Sequence, residues 1–211
     1  MTTIRSSSAS LTLALSAALF VADFSTHLVR AEEVTNTLST VFSSLKSSAA
    51  AQGDATLKSI GGDLQTKAGS LSQSLATNTV ASSTLQNALQ SLASGKSAES
   101  LSSLQKLGAA KLTPEQTKLA ADVYHIGTAY VIQKNFASLD GAQGDVAKAV
   151  NSLRNGETLA ALPAIQSIAQ NAKLTAPQKE LIQSVASQYA PGVEKVGNAL
   201  RGLGGLPGFG K

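Results

Sequence analysis

The chain has 211 residues and a formal net charge of +4, with 43% apolar, 14% charged and only 4% aromatic residues, and neither Trp nor Cys. This length suits one domain or two small ones, and the core has to be filled by Leu, Val, Ile and Ala, whose small side chains let helices approach closely. The lack of cysteine excludes disulfides, thiolate metal centres, a catalytic thiol and a Cys-linked lipid anchor, and the scattered Lys and Arg residues form no basic cluster that would mark nucleic-acid binding.

The first element is a leader. Arg5 is followed by a Ser-rich stretch and then by Leu11 to Val21, LTLALSAALFV. This uncharged apolar run has the length of a signal-peptide core and is too short to span a bilayer. Val29-Arg30-Ala31 places small side chains where a signal peptidase reads, so residues 1–31 are expected to be a cleaved signal peptide and the mature chain to start at Glu32. The expected location is periplasmic or extracellular, with no transmembrane segment in the mature chain. The alternatives are an organellar transit peptide, because the first twenty-two residues are free of acids and rich in Ser and Thr, and an ordinary buried helix.

Beyond Glu32 the pattern is helical throughout. Val34, Leu38, Val41, Phe42 and Leu45 recur at three-and-four spacing, which predicts a first helix. Asp54 is placed to accept the first backbone N–H groups of a second helix. Leu57, Ile60, Leu64, Ala68, Leu71 and Leu75 form its stripe, and Gly61, Gly62 and Gly69 should make it bend, fray or lean on a neighbour. Residues 32–78 thus read as a helical hairpin. No stretch alternates with period two over a strand-like length, so the expected class is all-α.

The rest of the chain carries an internal repeat. Leu85 to Gly108 aligns with Val146 to Ala169 at an offset of 61 residues, and Ala110 to Leu119 aligns with Ala172 to Leu181 after one added residue. Each copy opens with an apolar stripe closed by a glycine, Gly95 or Gly156, suited to a helix C-terminus. A short second helix follows, with cap-like starts at Ser97 and Thr158. A third begins at a capping box, Thr113 with Gln116 or Thr175 with Gln178, next to a proline that costs nothing in the first turn. Leu119, Val123, Ile126 and Tyr130 mark the third helix of the first copy, and Leu181, Val185 and Tyr189 that of the second, which Pro191 should kink. The predicted organisation is a duplicated three-helix unit over 79–140 and 141–201, then a glycine-rich tail over 202–211.

Chemistry is sparse. His125 is the one histidine outside the leader, and no metal-ligand cluster or calcium loop exists. A general base needs a nucleophile and an orienting partner, and Asp122, His125, Tyr130 and Lys134 are spread around their helix by the helical spacing. Ser-x-x-Lys occurs at Ser43 to Lys46 and Ser103 to Lys106 without the companion motifs of serine acyl enzymes, so both read as solvated faces. Gly202, Gly204 and Gly208 lack the order of a phosphate cradle. Lys118 and Asp122, like Glu194 and Asn198, read as ordinary exposed positions. No catalytic, cofactor or metal residue is assigned. The expected role is that of a non-enzymatic, exported structural or protein-interaction protein of the bacterial envelope that binds a protein partner or itself. The alternative is a helical binder of apolar ligands or lipid surfaces.

Overall fold

The structure is a computed structural model and describes residues 37–189; the segment read as a leader, Pro191, Glu194, Asn198 and the glycine-rich segment 202–211 lie outside the described residues. Among the described residues every regular element is a helix. They are α1 (37–51), α2 (Ala55–Ser74), α3 (Thr79–Ala93), α4 (Ser97–Gly108), α5 (Pro114–Phe136), α6 (Gln143–Arg154), α7 (Thr158–Ala169) and α8 (Ala176–Tyr189). Among the described residues, 40–189 belong to one compact unit.

Local signals set the helix ends. Gly53, at φ 64°, turns the chain after α1, and Asp54 caps α2 by accepting the Leu57 N–H at 2.9 Å. The same carboxylate accepts a second hydrogen bond from Gln133 Nε2 on α5 at 2.6 Å, so one side chain starts α2 and pins it to its neighbour. Gly95 and Gly156 end α3 and α6 at φ 77° and 74°. Around each, the next residue's N–H reaches back over the glycine, from Lys96 to Ser91 O and from Glu157 to Ser152 O, both at 2.8 Å. The glycines donate to Leu92 O and Leu153 O, which completes two Schellman motifs.

Two starts differ from what the sequence predicts. Ser97 and Thr158 are the first residues of α4 and α7, not caps; the cap positions fall to Lys96 and Glu157, neither of which makes a side-chain cap bond. The Schellman motifs already fix the backbone there, leaving no room for a separate capping turn. α7 also runs through Pro163, which cannot donate to the carbonyl of Leu159. Leu159 is 66% exposed, so water can take that carbonyl.

The core is organised around α5. It packs most extensively against α2 and α6, also against α4, and more lightly against α8, while α3 pairs with α4, α6 with α7, and α7 with α8. Periodicity alone assigns α5 a single apolar stripe. Instead, every residue from Ile126 to Ile132 is buried, together with Val123, Tyr124 and Phe136, because a helix with neighbours on several sides has no solvent face in its middle. Close approach helps: a Cβ on Gly127 would fall 2.9 Å from Leu104 Cδ1, so α4 and α5 meet closely there.

α2 is a continuous helix of 20 residues despite its glycines. Its stripe, Leu57, Ile60, Leu64, Ala68 and Leu71, is fully buried. Packing on α5 supplies what propensity lacks. A Cβ added at Gly62 or Gly69 would meet nothing within 4 Å, and neither residue has a positive φ. Gly62→Ala and Gly69→Ala are therefore expected to raise stability by about 0.5–1 kcal/mol each, read as higher urea midpoints. One buried group runs the other way. Ser100 Oγ, on α4, has no hydrogen-bond partner although Ser100 is 0% exposed. Ser100→Ala should stabilise the fold by about 1 kcal/mol, the penalty of a buried hydroxyl left unsatisfied, and an unchanged or lower thermal midpoint would contradict this.

Candidate functional site

The chemically richest place among the described residues is the seam where the last turn of α8 meets the middle of α5. Tyr124, His125 and Thr128 stand on α5, and Gln188 and Tyr189 on α8. The Thr128 hydroxyl donates to its own helix at Tyr124 O, 2.8 Å away, which leaves its oxygen to accept the Tyr189 hydroxyl at 3.3 Å. The Tyr189 oxygen also lies 3.1 Å from His125 Nδ1, and the Tyr124 hydroxyl donates to Gln188 Oε1. The rings form a packed triad: Tyr124 to His125 at 5.7 Å edge to face, Tyr124 to Tyr189 at 6.0 Å, and His125 to Tyr189 at 5.8 Å.

Burial sets the protonation states. It pushes the phenols of Tyr124 and Tyr189 well above the ordinary tyrosine range, and it lowers the imidazole of His125, with Asp122 pulling weakly the other way. At neutral pH the cluster is an uncharged network of hydroxyls and imidazole. Phenols held protonated donate hydrogen bonds and do not attack. The hydrogen bonds of the network join α5 to α8.

The other residues considered for chemistry do not converge on this seam. Asp122, read from sequence as an exposed position, is instead ion-paired with Lys67 of α2 at 2.7 Å, a link between residues too far apart in the chain for helical spacing to reveal. Tyr130 is fully buried, with its hydroxyl 3.5 Å from Leu45 O and burial pushing its phenol up to about 12. Lys134 lies along the C-terminal turn of α3, with Nζ 3.9 Å from where a Gly95 Cβ would stand. Ser43, Lys46, Lys106 and Lys118 are exposed and Ser103 is half-buried. Sequence reasoning misses Tyr189 as the partner of His125 and Gln188 as the partner of Tyr124, because the sequence shows α8 only as a stripe at Leu181, Val185 and Tyr189.

Among the described residues no group of three or more His, Asp or Glu side chains is placed to hold a metal ion, and no helix is long and apolar enough to cross a membrane. The fold and this seam define an all-α protein. No family model matches the sequence, and no curated protein or solved structure matches it either.

Proposed function

We propose that this chain is a non-enzymatic, exported helical protein of the bacterial envelope that acts by protein–protein contact, and that residues 79–201 are two copies of one three-helix unit behind a helical hairpin over 32–78. The observation that carries the reading is a tie made twice. Gln116 accepts the Thr113 N–H at 3.0 Å within its capping box, and its Nε2 also donates to Ser74 O, in the last turn of α2, at 2.6 Å. Gln178 accepts the Thr175 N–H at 3.1 Å, and its Nε2 donates to Asn135 O, in the last turn of α5, at 2.8 Å. The third helix of each unit is thus started and fastened to the end of the helix that precedes its unit, α5 to α2 and α8 to α5, by the same residue type in the same role. The paired Schellman motifs at Gly95 and Gly156 support the same reading. Such units stack because one alone cannot cover its apolar faces, and a stack offers a continuous surface for partners.

The duplicated tie has a measurable consequence. Thr113→Ala and Thr175→Ala each remove a first-turn partner and should cost about 1 kcal/mol. Gln116→Ala and Gln178→Ala should cost at least as much, since each also deletes a bond between helices. If the glutamine variants unfold at the wild-type urea midpoint, the tie is not a structural repeat element.

The functional reading is tested on material from the native cell. The expected N-terminus is Glu32, and in-cell crosslinking followed by mass spectrometry should join the chain to another protein or to a second copy. Recovery of Met1 or Thr2 refutes export by cleavage. Recovery with lipid by flotation on vesicles, with no protein crosslinks, would favour a lipid-binding role.

A further inference from the structure

We infer that the α5–α8 seam is an acid-sensitive latch, in which protonation of His125 releases the last turn of α8 from α5. The geometry shows why this turn is separable. In α8 only Ile182 and Val185 are fully buried, the helix packs mainly on α7, and its last turn reaches α5 through the hydrogen bonds and ring contacts of Gln188 and Tyr189. Contact between α5 and α8 is also the lightest that α5 makes with the four helices α2, α4, α6 and α8.

The hydrogen-bond order fixes where a proton goes. Thr128 donates to Tyr124 O and Tyr189 donates to Thr128, so the Tyr189 oxygen accepts from His125, which places the ring hydrogen on Nδ1. This tautomer is assigned from the network. An added proton then enters at Nε2, leaves every donor in the chain in place, and puts a positive charge into an aromatic seam. The penalty is desolvation of that charge.

Nothing facing His125 is placed to neutralise it cheaply. On α5, Asp122 is the charge that acts on it, and Asp122 is committed to Lys67 of α2 at 2.7 Å. The other charged residues of α2 are Lys58, which is exposed, and Asp63, which pairs with Arg154 of α6 at 2.6 Å. On α4, Glu99 pairs with Lys96 and Lys106 is exposed; on α6, Asp145 pairs with Lys148. On α8, Tyr189 faces the ring, Gln188 is bonded to Tyr124, and Lys179 and Glu180 are exposed near the other end of the helix. Because burial lowers the imidazole pKa in the docked state, docking is strongest above the ordinary histidine value of about 6.5 and weakens as pH falls below it.

The test uses the full chain, whose only histidines are His27 and His125. Imidazole signals are followed by NMR from pH 7.5 to 5.0, with His125→Gln used for assignment, and amide exchange of α5 and α8 is measured in parallel and corrected for intrinsic rates. The His125 midpoint should lie below 6.5, and the Tyr189 ring signals should move with it. Protection in the last turn of α8 should fall several-fold relative to α5 across this range, and the fall should vanish in His125→Gln. A protection ratio that stays constant in wild type overturns the latch. So does the same fall in His125→Gln. If that variant does not fold, Tyr189 signals that ignore the His125 titration in wild type overturn it equally.

Discussion

Expressed separately, residues 79–140 and residues 141–201 are each expected to lose most of their helicity and to melt without a cooperative transition. The first fragment keeps α3, α4 and α5 but lacks α2 and α6, the two helices against which α5 packs most extensively. Val131, Ile132 and Phe136, all 0% exposed in the intact chain, would be left without much of their cover. The second fragment keeps α6, α7 and α8 and loses α5, so Val146, Ala149, Val150 and Leu153 lose a principal neighbour. Fragments of this size gain only a few kcal/mol from one core, and these have no disulfide and few large aromatic residues to compensate. Circular dichroism and thermal unfolding decide the matter. Two independently cooperative, fully helical fragments would mean that the α5–α6 contact is dispensable and that the two copies are beads joined through Asp140 to Gly144. Fragments that regain a cooperative transition on mixing would support a shared core.

What the sequence could and could not show follows from the range of each interaction. Asp54, Thr113, Gln116, Thr175, Gln178, Gly95 and Gly156 act on backbone within a few residues of themselves, so their helix ends were legible from composition and spacing alone. The second job of three of these residues was not. Asp54 also binds Gln133, Gln116 binds Ser74 O and Gln178 binds Asn135 O, and each bond spans dozens of residues. Periodicity failed at α5 for a related reason. A stripe predicts one buried side, and Thr128 and Gly127 look like interruptions of it until α8 and α4 are seen to close on them. The same limit hid the seam, since His125 and Tyr189 are 64 positions apart and share no local pattern. The glycines of α2 left three outcomes open, bending, fraying or leaning on a neighbour, and the continuous helix packed along α5 is the third of them.

Tyr130→Ala is expected to destabilise the protein by about 3–5 kcal/mol, the largest effect of any single truncation considered. Tyr130 is the largest fully buried side chain, and its ring lies 3.9 Å from where a Cβ on Gly61 would stand, against the middle of α2. Its hydroxyl points to Leu45 O on α1. The residue therefore stands where α1, α2 and α5 meet, and its removal opens a cavity that small Ala- and Leu-rich neighbours cannot collapse to fill. The hydroxyl contributes far less than the ring, because 3.5 Å is at the long limit of a hydrogen bond. Tyr130→Phe should accordingly cost no more than about 1 kcal/mol. Urea unfolding of the two variants separates the contributions: a large loss in Tyr130→Ala with near-wild-type stability in Tyr130→Phe places the energy in packing, whereas similar losses in both would place it in the bond to Leu45 and require that α1 is held to α5 by polar contact.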